Sequence, residues 1–253
     1  WIRLMPATLL WTEALDGGDP KAEVPHRDRL MLSEISATTT DEPREIVRLQ
    51  HRFADIDWLP RTGDVILTEY DRDRRWRTSW RTSLFDATNR EELWSLSVND
   101  AYNDPGDLVY ETLPDGTSVV RERDGIWFLT GRGATAEGDR PFLTAFHPGD
   151  GITVEVHRCG VDAVETFVGF SHEEDLILSR QDPATPPNLW LNGRNLTGFV
   201  DPHPELTGMH RELVRYKRSD GVQLTGTLFL PPGHDPKRDG PLPTLFWAYP
   251  EEY

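Results

Sequence analysis

Asp55-Ile-Asp-Trp58, Val65-Ile-Leu-Thr-Glu-Tyr70, Trp76-Arg-Thr-Ser-Trp-Arg-Thr-Ser-Leu84 and Glu92-Leu-Trp-Ser-Leu-Ser-Val98 follow one another along the chain. The third run decides the reading. Successive side chains in a strand point to opposite faces, so Trp76, Thr78, Trp80 and Thr82 share one face, and Arg75, Arg77, Ser79 and Arg81 the other. Pro60-Arg-Thr-Gly63 supplies turn chemistry between the first two runs. Four strands in about 45 residues is the size of one propeller blade.

The same rhythm extends in both directions. Upstream, Thr8-Leu-Leu-Trp-Thr-Glu13, Arg29-Leu-Met-Leu-Ser33 and Glu45-Ile-Val-Arg-Leu49 form part of an earlier unit. Downstream come Leu108-Val-Tyr-Glu-Thr112, Ser118-Val-Val-Arg121, Gly125-Ile-Trp-Phe-Leu129, Phe142-Leu-Thr-Ala-Phe146 and Ile152-Thr-Val-Glu-Val156, with Pro114-Asp-Gly116 as a tight turn. A further unit takes in Glu165-Thr-Phe-Val-Gly-Phe170, Asp175-Leu-Ile-Leu-Ser179 and Asn188-Leu-Trp-Leu191. The fold class expected is mainly β, a partial β-propeller of about three to four four-stranded blades. The units share rhythm more than residues, and a β-sandwich has the same strand spacing.

Near Pro202-His-Pro204 the character changes to a connector, because each proline removes a backbone donor and biases its predecessor toward extended geometry. Leu213-Val-Arg-Tyr-Lys217 and Val222-Gln-Leu-Thr-Gly-Thr-Leu-Phe-Leu230 then read as a hairpin turning at Ser219-Asp-Gly221. Thr244-Leu-Phe-Trp-Ala248 is a continuous apolar run, as in a strand of an α/β sheet buried on both faces. The domain boundary is accordingly expected near residue 205, dividing 1–204 from 205–253.

Composition sets limits. The chain has 253 residues, 37% of them hydrophobic, with nine Trp, enough apolar material for a substantial core. A formal charge of −16 makes nucleic acid and anionic membranes poor partners, since both need a cationic footprint. A mean hydropathy of −0.56 describes a soluble surface, and no run approaches the ~18 apolar residues of a membrane span. Compartment is left open among cytoplasmic, plastid and secreted. Cys159 is the sole cysteine, which excludes an internal disulfide and cysteine-rich metal sites. No cofactor is expected. The chain opens on Trp1 with no basic-then-apolar leader, which is read as an N-terminus made by truncation or processing.

The C-terminal stretch carries a resemblance. Arg218-Ser-Asp-Gly-Val-Gln-Leu-Thr-Gly-Thr-Leu-Phe-Leu-Pro-Pro-Gly233, followed by Gly240-Pro-Leu-Pro-Thr-Leu-Phe-Trp-Ala-Tyr-Pro250, resembles the opening of the hydrolase domain in prolyl-oligopeptidase-type serine peptidases. Within that class it is most similar to the glutamyl endopeptidase branch; acylaminoacyl and dipeptidyl peptidases share the architecture. Trp11-Thr-Glu-Ala14, Asp16-Gly-Gly-Asp19, Tyr102-Asn-Asp-Pro-Gly106, Gly131-Arg-Gly-Ala-Thr135 and Pro141-Phe-Leu143 look like segments of that branch's propeller. The resemblance implies a seven-bladed propeller capping an α/β-hydrolase, a Ser-Asp-His triad, a peptide substrate, and the remainder of the same propeller and peptidase domain as partner. It also implies that the nucleophile lies past Tyr253, so that this chain alone is inactive.

Candidate residues follow from that chemistry. A hydrolase nucleophile sits in G-x-S-x-G, on a strained strand-to-helix turn. Gly169-Phe-Ser-His-Glu173 lacks the second glycine, and Ser171 reads as an ordinary turn serine. The resemblance offers Tyr249 as an oxyanion-hole donor, just after the apolar run; the Pro-Glu-Glu that follows departs from the glycine-rich turn common in the class. Specificity for Glu needs a cation, and Arg pairs carboxylates bidentately, which draws attention to Arg72, Arg74, Arg75, Arg77 and Arg81. The ordinary reading of those five is a solvated strand face. His172-Glu-Glu-Asp175 lacks metal-ligand spacing, Asn195-Leu-Thr197 fits a glycosylation triplet, and Asp16-Gly-Gly-Asp19 reads as a turn. No metal site is expected, and the substrate-binding residues stay unknown.

The function expected is therefore that of part of a serine peptidase hydrolysing peptides by acyl transfer, after acidic residues. The other class of reading is a non-catalytic propeller serving as a binding or scaffold module. The fragment by itself is expected to be poorly stable or to aggregate, because an incomplete ring leaves strand edges unpaired.

Overall fold

The computed structural model describes residue 2 and residues 5–35, 42–61 and 63–248. In chain order, β1 (Thr8–Ala14), β2 (Asp28–Glu34) and β3 (Arg44–Leu49) form a first antiparallel sheet. β4 (Arg52–Trp58), β5 (Asp64–Asp71), β6 (Trp76–Ser83) and β7 (Asp86–Ser97) form a second, in strict order. β8 (Asp107–Leu108) joins a third sheet, in which β11 (Glu122–Arg123), β12 (Ile126–Gly131), β15 (Phe142–His147) and β16 (Ile152–Arg158) are neighbours in turn. Two short hairpins accompany it: β9 (Tyr110–Thr112) with β10 (Ser118–Val120), and β13 (Ala134–Thr135) with β14 (Gly138–Asp139). β17 (Val164–Phe170), β18 (Leu176–Asp182), β19 (Thr185–Leu191) and β20 (Arg194–Asn195) make another four-stranded meander. Last come the hairpin β21 (His210–Lys217) and β22 (Gln223–Leu230) and the single helical turn α1 (Pro236–Asp239).

The chain divides into two compact units, residues 1–158 and 159–253. The boundary expected near residue 205 falls inside the second, in the connector between β20 and β21.

In the first unit the sheets stack face to face, and β5 shows why. Val65, Ile66 and Leu67 are consecutive, so their side chains alternate, yet all three are buried. Val65 and Leu67 join Leu30, Leu32, Val47 and Leu49 of the first sheet in one core. Ile66 joins Val120, Trp127, Leu129 and Phe146 in another. The second sheet is thus covered on both faces, as a blade inside a propeller is. Bulges between Phe53 and Asp55 in β4, and in β7 opposite Ser79–Trp80, shift the register by one residue; in β4 the shift turns Phe53 and Ile56 to the same face, where both pack on the first core.

The apolar run 244–248 differs from the other strand segments. Residues 241–248 form no strand, and Leu245, Phe246 and Trp247 are each close to 90% exposed. A strand buried on both faces needs neighbours along both edges and layers above and below; among the described residues nothing pairs with this run. The hairpin β21–β22 is present as expected, but its residues are largely exposed.

Candidate functional site

Tyr249 lies outside the described residues. Ser171 is a turn serine in the β17–β18 hairpin. Its hydroxyl accepts from the amides of Glu173 and Asp175, and its own amide donates to the Asp175 carbonyl. Glu174 takes the left-handed conformation that closes this turn (φ 67°). His172-Glu-Glu-Asp175 is the same turn, and among the described residues no group of three His, Cys, Asp or Glu is arranged to hold a metal. In Asn195-Leu-Thr197, the Asn195 side-chain Oδ1 accepts from the backbone amides of Thr197 and Gly198, while the Thr197 hydroxyl donates to Asn188 Oδ1.

The arginines separate into two groups. Arg72, Arg74 and Arg75 lie in the β5–β6 turn, where Arg75 is left-handed (φ 51°) and Arg74 stacks over the Trp76 ring. Arg77 and Arg81 do not occupy a bare solvated face. Register pairs Arg81 with Ile66, which points into the second core, so this face of β6 looks toward the third sheet. Arg81 stacks over the Trp127 ring, with Glu91 3.9 Å from its guanidinium. Arg77 donates to Asp104 at 2.8 Å. Asp104 belongs to Tyr102-Asn-Asp-Pro-Gly106, whose last residue has φ 89°; a Cβ there would stand 2.6 Å from the Thr130 carbonyl oxygen. That glycine lets the loop lie against β12 and presents Asp104 to Arg77.

Two polar clusters bind the sheets of this unit together, and neither was legible as a pair of partners in the sequence. The first joins sheets one and two. Asp16 closes the turn after β1, where its carboxylate accepts from the Gly18 amide at 2.9 Å. Arg27 donates to the same carboxylate at 2.9 Å, and Arg52, opening β4, reaches both Asp16 and Asp28 at 2.5 Å. The side chains of Asp16 and Asp28 are fully or almost fully buried. Burial alone pushes the Asp16 carboxyl up, but the Gly18 amide and the Arg52 and Arg27 guanidinium groups outweigh it and hold it below the usual range. Asp28 also accepts from the Phe53 amide at 2.6 Å, which fixes the start of β4. An open cleft of about 600 Å³ lies beside this cluster, lined by Pro20, Lys21, Val24, Arg27 and Asp73 among others, so it carries charges of both signs.

The second cluster joins sheet two to the β9–β10 hairpin that accompanies sheet three. The Tyr110 hydroxyl in β9 donates to the Asp57 carboxylate in β4. Burial pushes Asp57 up, the Tyr110 hydrogen bond pulls it down, and the nearby charges of Asp55 and Asp107 raise it again, leaving it above the usual range. The same burial, with Asp57 beside it, drives the Tyr110 phenol upward. Two aspartates alternating with apolar residues in β4 were the sequence signal that this face is not simply core.

These clusters hold sheets in place; among the described residues they bring together no nucleophile, base and acid. No family model matches the chain. It is 34% identical over its whole length to a protein of Arabidopsis thaliana named probable glutamyl endopeptidase, chloroplastic. It is 31% identical to the protein of the same name from Oryza sativa subsp. japonica, and in each case it spans 29% of the relative's length. Among solved structures, dipeptidyl peptidase 4 of Porphyromonas gingivalis aligns with 92% of this chain and 40% of its own, at 11% identity and a TM-score of 0.46. From its first strand to its last, the chain is homologous to a segment of the proteins named glutamyl endopeptidase, the branch of the prolyl-oligopeptidase class that its sequence resembles.

Proposed function

We propose that this chain is the cap-and-opening segment of a serine peptidase that hydrolyses peptides by acyl transfer, after acidic residues. The observation that carries the reading is the match along the whole chain to relatives named glutamyl endopeptidase. In this reading residues 1–204 are propeller and residues 205–253 open the hydrolase domain. Stacked antiparallel sheets supply a rigid cap, a fitting role for elements that hold no reacting groups. The triad comes from sequence beyond Tyr253, and this segment alone is inactive.

Tyr249 is its direct contribution to the chemistry. A phenol fixed at the end of the first hydrolase strand donates to the oxygen of the tetrahedral intermediate, where negative charge develops. Loss of a comparable donor costs roughly 3 kcal/mol, about two to three orders of magnitude in kcat. Tyr249→Phe in the full-length enzyme is expected to lower kcat by that order while KM changes little. Unchanged turnover removes the assignment. Cleavage of matched peptides bearing Glu or Ala before the scissile bond tests the specificity; equal kcat/KM for the two leaves a peptidase without the acidic preference.

A further inference from the structure

β19 and β20 are joined by Asn192-Gly193, a two-residue turn closed by the pairing of Leu191 with Arg194. Both central residues are left-handed, with φ 49° at Asn192 and 75° at Gly193, as in the type I′ turn that matches the twist of a hairpin. Asparagine tolerates that conformation and glycine adopts it freely. Both residues are exposed. The ladder ends at Leu191 and Arg194, so the Gly193 amide lies outside it, and without a Cβ the residue does nothing to shield its own nitrogen. β20 is two residues long, exposed, and at the edge of its sheet, so opening the turn disturbs few ladder positions.

Other asparagines are held differently. The chain has six, and Asn192 is the only one followed by glycine. Asn188 is 1% exposed; its Nδ2 donates to the carbonyls of Pro186 and Phe199, and its Oδ1 accepts from the Thr197 hydroxyl and the Phe199 amide. Asn195 accepts two backbone amides through Oδ1 and is followed by the branched Leu196. Asn103 donates through Nδ2 to Asp100. These bonds keep a side-chain carbonyl carbon from swinging onto the next residue's nitrogen.

We propose that Asn192-Gly193 is a site of spontaneous covalent modification, where the chain converts its own asparagine to aspartate and isoaspartate. The Gly193 amide gives its proton to hydroxide, and its nitrogen bonds to Cγ of Asn192. The Cγ–Nδ2 bond breaks, Nδ2 leaves as ammonia, and a succinimide ring remains. Water then opens the ring at either carbonyl, giving aspartate or isoaspartate; the co-reactants are water and hydroxide alone. The isoaspartate product carries a new negative charge and a main chain one carbon longer, in a turn whose ladder closes across two residues.

Full-length protein held at mildly alkaline pH and then cut with trypsin tests this. Cleavage after Arg180 and Arg194 releases residues 181–194, in which Asn188 is an internal control. The asparagine-to-aspartate mass gain is expected at Asn192 and absent at Asn188, with a rate that rises ~tenfold for each pH unit as the deprotonated share of the amide rises. Asn192→Gly keeps the turn, since Gly-Gly also suits type I′, and is expected to lose the signal completely. Asn192 that stays intact in folded protein, over the time in which urea-unfolded protein converts, overturns the proposal. Equal conversion at Asn188 overturns it as well.

Discussion

On one face of the second sheet Val65 and Leu67 meet Leu30, Leu32, Val47 and Leu49; on the other Ile66 meets Val120, Trp127, Leu129 and Phe146. The first seam is aliphatic and is bordered by arginines that neutralise two buried aspartates. The second is aromatic, with Trp94 and Trp127 rings 5.1 and 6.0 Å from that of Phe146, and is bordered by an aspartate whose neighbours are other aspartates. The difference teaches that adjacent sheets need only a shared apolar layer to stack. What surrounds the layer decides how the stack responds to its surroundings. By linkage, the first border weakens as pH falls.

The largest way to break the comparison is through the cores. Trp127→Ala removes a fully buried ring, its Nε1 hydrogen bond to Glu122 and the platform under Arg81, for an expected loss of ~3–5 kcal/mol. Leu67→Ala on the opposite face is expected to cost ~2–5 kcal/mol. Urea unfolding of the full-length protein, read by a probe within the propeller, measures both. If Leu67→Ala were clearly the costlier, the aromatic seam would not be the stronger.

Next in size is the border of the first seam. Arg52→Ala leaves Asp28 buried without its cation and Asp16 with Arg27 alone, and removing one partner of a buried pair strands the other. The melting temperature at neutral pH should drop by several degrees. The sign with pH sharpens the contrast. Asp16 is held below the usual carboxylate range, so its contribution is present above the unfolded value and is lost as pH falls through the folded one. Wild type should therefore destabilise more steeply on the acid side than Arg52→Ala, and parallel melting curves from neutral to acidic pH would remove the network as the source.

The strands of both seams were legible from alternation and turn chemistry, because period-two patterning is a local property. The partners were not. Asp16 and Arg52, or Asp57 and Tyr110, are far apart in sequence, and nothing in either segment specifies which distant residue the fold will deliver. Asp16-Gly-Gly-Asp19 read correctly as a turn, yet its first carboxylate has a second role that only the stacking of sheets creates. Arg77 and Arg81 read as solvated for the same reason: alternation gives the face but not what covers it. Tyr249 is legible only by resemblance, since a strand-end tyrosine has no local signature of catalysis.

Outside the seams the stakes fall. Ser171 sits in a hairpin turn of the second unit, where its hydroxyl accepts two backbone amides. Ser171→Ala removes those bonds at a site that water reaches, for an expected ~0.5–1.5 kcal/mol. In the full-length enzyme its activity is expected to stay at the wild-type level. Abolished activity in a folded Ser171→Ala protein would overturn the reading of this residue as a turn serine.

The smallest effect is expected where two similar runs have opposite fates. Val65-Ile-Leu67 and Leu245-Phe-Trp247 are both continuous apolar triplets, but the first is buried on both faces and the second is almost wholly exposed. Sequence pattern cannot separate them, because burial on both faces is conferred by neighbours and not by the run itself. Phe246→Ser in the 253-residue chain should change stability by less than ~0.5 kcal/mol, as for an ordinary exposed site. In the full-length protein the proposed hydrolase sheet would cover that ring, and the same change should cost ~3–5 kcal/mol, the range for truncating a buried Phe. Equal, negligible costs in both contexts would mean that nothing covers residues 245–247, and the placement of a hydrolase strand there would fail while the stacked sheets upstream stood unaffected.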